Sequence, residues 1–365
     1  MGNCSTQTDN FDSTVGLSRA QFAFLCAVGK GGFGKVWKVQ HKSSKQLFAM
    51  KEMRKGRVIA KKSVASVMNE RKLLTGLKHP FLVNMHFAFQ DRENLYLGMD
   101  LLSGGDLRYH ISRTKRFTET QVKFFIAAVL TGLEYVHGNN IIHRDLKPEN
   151  MVLDSSGYVH ITDFGIARVL RAENSADTSG TPGYMAPEVI CRQNHGLAAD
   201  FFAVGVMVYE LMIGKRPYLG KNRKEIRDAI LARQVQIKSS EVLEGWSLEA
   251  ADFCNKLIQR KPANRLGING FQQVKTHPWL QDIDWTRLLT KTLPSPFVPN
   301  AGDNFDGRLA SQDWKDDEEA VAIAAKQPGA QNFFDGYFYD EKLSAASETN
   351  RTSEVRGRLR LLPEQ

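Results

Sequence analysis

Residues 141–167 constrain the fold of this chain more than any other stretch. The sequence HRDLKPEN is followed by DFG, and between them residues 151–153 and 159–161 are predicted to form two short apolar strands joined by the turn DSSG. A hairpin with this spacing would bring Asp145, Asn150 and Asp163 to one end of a small sheet. Their oxygen atoms suit a Mg²⁺ ion that also binds nucleotide phosphates. Asp145 would be placed to orient a hydroxyl group and to accept its proton.

Together, the two motifs resemble those of eukaryotic protein kinases. Either motif alone says little, because Asp-Phe-Gly is also an ordinary turn, and the pair at this spacing carries the resemblance. The resemblance implies a bilobed α+β fold, with a small lobe built on a five-stranded sheet and one main helix, and a larger helical lobe. It also implies transfer of the ATP γ-phosphoryl group to Ser or Thr. Asp145 would be the base, and Asn150 and Asp163 would hold Mg²⁺ or, in its place, Mn²⁺.

A glycine-rich segment indicates the nucleotide site. It reads GKGGFGKV, and glycines let backbone N–H groups approach phosphates without interference from a Cβ atom. The pattern alone would also fit a dinucleotide-binding fold, but that fold needs a helix opening at the third glycine. Here the chain continues as the strand VWKV. The resemblance therefore implies a flap over ATP formed by Gly29, Lys30, Gly31, Gly32, Phe33, Gly34 and Val36.

The sequence FAMK follows at the spacing of the third kinase strand. The resemblance implies that Lys51 holds the α and β phosphates and pairs with Glu70, on a helix that the apolar period predicts over 64–77. The remaining nucleotide contacts implied by family position come from strand, hinge and tail residues: Ala49, Met99, Asp100, Leu102, Asp106 and Phe305.

The catalytic loop and the segment GTPGYM have the Ser/Thr-kinase form. The resemblance implies that Lys147 contacts the transferring phosphoryl group and that Thr181 braces the pair of Asp145 and Lys147. Glu149 and Asp228 fall where basophilic relatives place carboxylates for substrate arginines. With Asp106 they predict a basic-peptide preference, although all three could equally be ordinary surface acids.

The activation segment departs from the family pattern. Related kinases usually carry a phosphorylated Thr or Ser three residues before the glycine that matches Gly180, and here that residue is Asp177. Our hypothesis is that Asp177 pairs with Arg144 and supports an active state without activation-loop phosphorylation. The alternative is that Thr178 or Ser179 has become the phosphosite.

The carboxy-terminal region resembles the tail of AGC-group kinases. It contains the sequences PSPFVP, DNFD and FDGYFY, and the last of these carries Phe338 where relatives have a phosphorylatable residue. Exposed aromatic residues need a burial site, so we expect this motif to dock in cis beside the Glu70 helix. Residues 100–110 are most similar to the "yet another novel kinase" branch, which usually has DFN in place of DFG. The DNFD segment resembles cyclic-nucleotide-dependent kinases.

The expected organisation has four parts. These are a flexible segment 1–20, a kinase domain 21–280 (small lobe 21–99, hinge 100–106, large lobe 107–280), a tail 281–340 and a disordered end 341–365. The start MGNCST fits N-myristoylation at Gly2, and Cys4 could take a palmitoyl chain, which would attach the protein to the cytoplasmic face of a membrane. The alternative is an unmodified polar start.

Composition excludes several other classes. The net charge is +9, but Lys and Arg are scattered, so we expect no nucleic-acid partner. Four cysteines without paired spacing favour a cytoplasmic protein over a disulfide or zinc framework. We expect a monomer acting on protein substrates. The rival hypothesis is a membrane-tethered pseudokinase scaffold, which is disfavoured because Lys51, Asp145, Asn150 and Asp163 are all present.

Overall fold

A computed structural model of the chain describes residues 16–300, 302, 304–305 and 318–342. The predicted acylation sites Gly2 and Cys4 lie outside the described residues. The strands are β1 (Phe22–Lys30), β2 (Gly34–His41), β3 (Leu47–Arg54), β4 (Met85–Gln90), β5 (Asn94–Met99), β6 (Ile141–Ile142), β7 (Met151–Leu153), β8 (Val159–Ile161), β9 (Arg168–Val169) and β10 (Tyr339–Asp340). The α-helices are α1 (Lys55–Ala60), α2 (Val64–Gly76), α3 (Leu107–Thr114), α4 (Glu119–Gly138), α5 (Pro187–Ile190), α6 (Ala198–Ile213), α7 (Arg223–Ala232), α8 (Leu248–Leu257), α9 (Phe271–Lys275), α10 (Trp285–Leu289) and α11 (Glu318–Ala325).

The small lobe is an antiparallel sheet with strand order β1-β2-β3-β5-β4-β10. An aromatic cluster that includes Phe22, Phe87 and Phe89 is buried against it, and α2 contributes buried residues to the main core. The sheet was expected to have five strands and has six. The sixth, β10, comes from the tail and pairs antiparallel with β4, Tyr339 opposite Ala88. The prediction missed it because a two-residue strand has no periodicity to detect.

The large lobe is organised around α4 and α6, which are apolar on almost every side and are buried along most of their length. A capping box at Thr118 begins α4, and Gly214 in the left-handed region ends α6. The hairpin of β7 and β8 has the predicted bounds, with Met151 opposite Ile161. Together the lobes form the bilobed α+β fold expected from the sequence.

The tail packs on both lobes. In the large lobe, the ring of Phe297 contacts Phe117 and Phe125. In the small lobe, α11 packs on α1 so closely that a Cβ atom on Gly56 would lie 2.5 Å from the carbonyl oxygen of Val321. Within the described part of the chain, the longest apolar helices fall short of what a membrane span requires.

Candidate active site

The strand register places several predicted nucleotide contacts on one face of the small-lobe sheet. Val36 of β2 lies opposite Lys51 of β3, and Ala49, two residues earlier on β3, lies opposite Met99 of β5. Cross-strand partners share a face, as do residues two apart on one strand. Gly29 of β1 pairs with Val36 and joins the set. The sheet therefore places the glycine loop, Lys51 and the start of the hinge along one cleft.

The glycine loop is held close to the sheet. A Cβ atom at Gly34 would lie 1.5 Å from the carbonyl oxygen of Glu52, so only glycine fits there. The N–H of Gly31 donates to the carbonyl oxygen of Gly34 at 2.8 Å. Gly32 at the tip is exposed, as is Lys30. The carbonyl oxygens of the tip accept hydrogen bonds from beyond the sheet: Lys61 donates to Gly32 at 3.1 Å and Arg57 to Phe33 at 3.3 Å.

Lys51 and Glu70 form a buried ion pair. The Nζ atom of Lys51 lies 2.8 and 3.0 Å from the two carboxylate oxygens of Glu70 on α2. Burial alone would lower the pKa of Lys51, but the carboxylates of Glu70 and Asp163 outweigh that effect and raise this pKa. The same helix is tied to the activation segment, because Asn69 donates to the carbonyl oxygen of Ala167 at 2.8 Å. The ion pair of Lys51 and Glu70 is the pairing that the sequence predicted for an active arrangement.

At the hinge, Asp100 directs its side chain away from the nucleotide face. Its carboxylate accepts hydrogen bonds from Asn84 and lies 2.7 Å from Nε2 of His86, and its N–H donates to the carbonyl oxygen of Asn84. A contact of Asp100 with adenine must therefore use its carbonyl oxygen. Leu102 is half-buried beyond it. Asn304 donates to the carbonyl oxygen of Ser103 at 3.0 Å, which brings the half-buried Phe305 next to the hinge.

Asp106 caps α3, and its carboxylate accepts a hydrogen bond from the N–H of Tyr109 at 2.7 Å. Burial raises the pKa of Asp106 to about 6, and the negative charge of Glu149 adds to that shift. The carboxylate therefore lies at the boundary between hinge and large lobe, in a partly desolvated position.

Asp145 is the centre of the catalytic cluster. Its Oδ1 accepts a hydrogen bond from Thr181 at 2.6 Å, and its Oδ2 accepts from Lys147 at 2.5 Å and from Asn150 at 3.1 Å. Lys147 also donates to the Oγ1 of Thr181 at 2.9 Å. The structure thus brings Thr181, Lys147 and Asn150 to the carboxylate of Asp145; the sequence predicted the group of Asp145, Lys147 and Thr181, and it predicted Asn150 separately as a metal ligand. These hydrogen bonds fix the orientation of the Asp145 carboxylate.

The donor set fits a magnesium ion. The Nδ2 of Asn150 is used by Asp145, so its amide oxygen is the end available to a cation, and Asp163 supplies a carboxylate. Lys51 and other cations hold the pKa of Asp163 below its usual range despite burial. Asp163 has φ of 65°, a strained conformation for a non-glycine residue that is often found at functional sites. One carboxylate and one amide oxygen suit Mg²⁺ that completes its shell with phosphates and water.

The catalytic loop is anchored by Asp200 of α6. Its two oxygens accept hydrogen bonds from the N–H groups of His143 and Arg144, both at 2.8 Å, and Nε2 of His137 lies 2.9 Å from it. Arg144 has φ of 70°, and this anchor holds that strained backbone in place.

Asp177 lies between two arginines. Its Oδ2 is 3.5 Å from Nη1 of Arg144 and its Oδ1 is 3.6 Å from Nε of Arg168. The pair with Arg144 was predicted. Arg168, on β9, was not predicted, because the way the activation segment folds back to bring it near Asp177 cannot be read from a local pattern. Thr178 is half-buried and Ser179 exposed, next to this charge cluster.

The three predicted substrate acids are in different surroundings. Glu149, in the turn Pro148–Asn150, accepts a hydrogen bond from Arg108 at 2.9 Å. Asp228 is exposed on α7, and no contact among the described residues joins it to Asp106 or Glu149. Arg108 and its second partner, Glu210, were not predicted from the sequence. A carboxylate within the apolar helix α6 was the signal that could have indicated Glu210.

The sequence matches the protein kinase domain over residues 22–280. A probable serine/threonine-protein kinase of Dictyostelium discoideum is 36% identical over 345 residues, covering 92% of this chain and 74% of the relative. Human serine/threonine-protein kinase 32B is 38% identical over 307 residues, which cover 82% of this chain and 73% of the relative. Human Sgk1 is 34% identical over 333 residues, which cover 88% of this chain and 76% of the relative.

The fold, the site and these matches define one class: the chain belongs to the protein kinase family. Within that family it is a serine/threonine kinase, and its similarity to Sgk1 supports the AGC group. Use of ATP and Mg²⁺ follows from membership of the family.

Proposed function

We propose that Asp145 orients the substrate Ser or Thr hydroxyl and accepts its proton as the oxygen attacks the γ-phosphorus of ATP, the bond from that phosphorus to the bridging oxygen breaks and ADP leaves. The observation that carries the proposal is the geometry of Asp145, whose two oxygens are held by Thr181, Lys147 and Asn150 at 2.5–3.1 Å. A carboxylate fixed in this way does not need to reorganise during the reaction. Lys147 bonds Asp145, and from this position its charge would stabilise the transferring phosphoryl group.

In this proposal Lys51 positions the α and β phosphates and is itself positioned by Glu70. Asp163 and Asn150 would hold Mg²⁺, or Mn²⁺ in its place. The metal, when bound, offsets the negative charge of the phosphates. The glycine loop, the hinge carbonyl of Asp100, Leu102 and Phe305 would enclose the nucleotide. Exclusion of water from this cleft would strengthen every electrostatic contact within it.

For activation, we propose that Asp177 replaces an activation-loop phosphate. The support is its position 3.5 Å from Arg144 and 3.6 Å from Arg168. A phosphate has more oxygens and more charge than a carboxylate, so the substitute is partial. Phosphorylation of Thr178 or Ser179 is the competing proposal, since either would add charge beside the same arginines.

For substrates, we propose proteins with basic segments, recognised mainly by Asp106 and Asp228. Glu149, the third predicted acid, already bonds an arginine of the chain itself. A contact to an exposed carboxylate such as Asp228 contributes little, about 0–1 kcal/mol, so this preference is expected to be modest.

For localisation, we propose acylation at Gly2 and Cys4 and attachment to the cytoplasmic face of a membrane, on the strength of the terminal sequence MGNCST. Labelling of cells with a myristate analogue should mark the wild type and not Gly2→Ala. Labelling of both proteins, or of neither, would contradict the proposal.

The deciding experiment is radiolabelled phosphate transfer from Mg²⁺-ATP to arginine-rich, neutral and acidic serine peptides, with phosphatase-treated protein. Asp145→Asn is the control, because it keeps the shape of the side chain and removes the charge. Transfer by the wild type alone supports the proposal. Nucleotide binding without transfer to any peptide would instead favour the scaffold hypothesis.

A further inference from the structure

Arg108 of α3 fills an acidic pocket on the surface of the large lobe. Its Nε donates to Glu149 at 2.9 Å, its Nη1 and Nη2 donate to the two carboxylate oxygens of Glu210 at 2.9 and 3.1 Å, and Nη2 also donates to the hydroxyl of Tyr184 at 2.7 Å. The Tyr184 hydroxyl donates in turn to Glu210. The guanidinium group is thus held by two carboxylates and a phenol, the kind of planar, multidentate arrangement that selects arginine over other cations.

The pocket lies beside the catalytic cluster. Glu149 stands between Lys147 and Asn150, both of which bond Asp145. Tyr184 is one turn from Thr181, to whose carbonyl oxygen its N–H donates at 3.1 Å. A peptide whose hydroxyl reaches Asp145 must therefore pass close to this pocket.

The pocket is partly open to solvent. The Glu210 side chain is 5% exposed, whereas those of Arg108 and Glu149 are 33% and 42% exposed. A side chain arriving from outside could reach the outer carboxylate. It would meet the positive charge of Arg108 before reaching Glu210, and it would find the oxygens of Glu210 already bonded.

We propose that Arg108 is a specificity-determining residue that occupies this pocket from within the chain and excludes a substrate arginine from it. The inference rests on the proposed function, because it takes Asp145 as the point where the substrate hydroxyl binds. Specificity of this kind comes from a repulsive element, and it acts against a substrate that the carboxylates alone would attract. Removal of Arg108 would expose two carboxylates and a phenol at the substrate-binding edge.

The test uses the full chain as wild type, Arg108→Ala and Arg113→Ala. Arg113 lies on the same helix and is exposed, with its guanidinium 3.5 Å from the ring centre of Tyr109 and outside the pocket, so it is a matched control for lost positive charge. Substrates are peptides with one serine and, in an otherwise uncharged sequence, a single arginine placed at successive positions. The readout is the ratio of kcat/KM for each arginine peptide to that for its alanine counterpart.

We expect Arg108→Ala to favour arginine at one position by about tenfold to a hundredfold, the range typical of a charge-assisted hydrogen-bonded pair. Wild type and Arg113→Ala should show no such gain at that position. Adding Glu149→Gln to Arg108→Ala should remove most of the gain. A purely structural role of Arg108 would change activity towards all peptides together and leave the ratios unchanged.

Two results would overturn the inference. One is an identical arginine profile for Arg108→Ala and wild type. The other is a wild type that already selects arginine at a position where Glu149→Gln abolishes the selection, and this measurement does not depend on the folding of any Arg108 variant. If Arg108→Ala does not fold, Arg108→Gln serves instead, since its amide can still donate to Glu210. If neither wild type nor Arg113→Ala transfers phosphate to any peptide, the proposed kinase function itself is contradicted. This outcome differs from failure of the Arg108 inference, in which both proteins remain active.

Discussion

At the residue scale, Asp177 lies between the catalytic loop and β9 and contacts an arginine from each. Arg144 belongs to the catalytic loop and Arg168 to β9, and the Asp177 carboxylate lies 3.5 and 3.6 Å from their guanidinium groups. Burial lowers the pKa of Arg144, and the charge of Asp177 partly restores it. Loss of this carboxylate would leave the buried arginine with less compensating negative charge, that of Asp200.

We therefore predict that Asp177→Ala lowers the kcat of phosphatase-treated protein by about tenfold, the effect of losing one or two partly buried charge contacts. Asp177→Glu should retain most of the activity, because it keeps the charge. Steady-state assays of the two variants provide the measurement. Full activity of Asp177→Ala would shift the regulatory role to Thr178 or Ser179, and the matching Ala variants of those residues would then be tested.

Asp106 should give stability a pH dependence. Burial raises its pKa in the folded protein to about 6, above the value of about 4 in an unfolded chain. Between these values the folded state binds more protons, so the free energy of unfolding falls as pH rises from about 4 to about 6. The stability gained by protonation is fully present below pH 4 and is lost above pH 6.

We predict that Asp106→Asn, which preserves the helix cap, removes this contribution. The melting temperature of the variant relative to wild type should rise between pH 4 and pH 7. Thermal unfolding followed by circular dichroism across this range provides the measurement. A constant difference between the two proteins would show that Asp106 titrates normally.

At the scale of elements, the tail motif is fixed by its backbone as well as by its side chains. Arg71 of α2 donates to the carbonyl oxygens of Tyr337 and Phe338, both at 2.9 Å, and to that of Gly336. Phe334 and Tyr337 are fully buried, whereas Phe338 is 39% exposed. The neighbour of Arg71 on α2 is Glu70, so tail docking and the Lys51 ion pair share one helix.

We predict that Tyr337→Ala lowers the melting temperature by about 5 °C and reduces activity, because a large buried ring leaves a cavity next to Glu70. Phe338→Ala should have little effect. Tyr337→Phe should be neutral or stabilising, since the Tyr337 hydroxyl has no hydrogen-bond partner among the described residues. Calorimetry together with kinase assays checks all three. Equal losses for Tyr337→Ala and Phe338→Ala would contradict the docking argument.

The sequence predicted that the aromatic tail motif docks beside the Glu70 helix, but it did not predict the pairing of β10 with β4 or the packing of α11 on α1. Aromatic clusters in a polar tail imply burial somewhere, and that inference needs only composition. The packing of α11 on α1 depends on Gly56 approaching the backbone of Val321, a contact between segments more than 260 residues apart in the chain. Similarly, the pocket of Arg108 joins residues of α3, the catalytic loop and α6. Such contacts are properties of the tertiary fold, and local patterns do not encode them.

At the scale of the whole molecule, the fold class and the catalytic cluster could be predicted because they depend on fixed spacings. The distance along the chain from Asp145 to Asp163 is set by one hairpin, whose two strands have the predicted bounds. The boundaries at 20, 280 and 340 remain predictions, as do the separate roles of the site residues. Those roles depend on contacts with bound nucleotide, metal and peptide, and the spacing of residues in the sequence does not describe such contacts.

Binding of Mg²⁺-ATP should stabilise the two lobes together. We predict a rise of several degrees in melting temperature at saturating nucleotide, since ligand at a hundred times its Kd adds about 2.7 kcal/mol. Asp163→Asn should weaken the magnesium-dependent part of the shift while leaving the protein folded. Thermal shift with ATP plus EDTA is the control. An equal shift with and without metal would argue against Asp163 as a ligand.

The strand β10 also covers one edge of the small-lobe sheet. By pairing with β4, it covers backbone N–H and carbonyl groups that would otherwise form an open sheet edge. Open edges of this kind are templates for pairing between chains. A chain truncated before residue 339 would therefore carry an exposed edge flanked by the aromatic residues Phe87 and Phe89. Its fate in concentrated solution should be self-association and aggregation, so the tail contributes to solubility as well as to the position of α2.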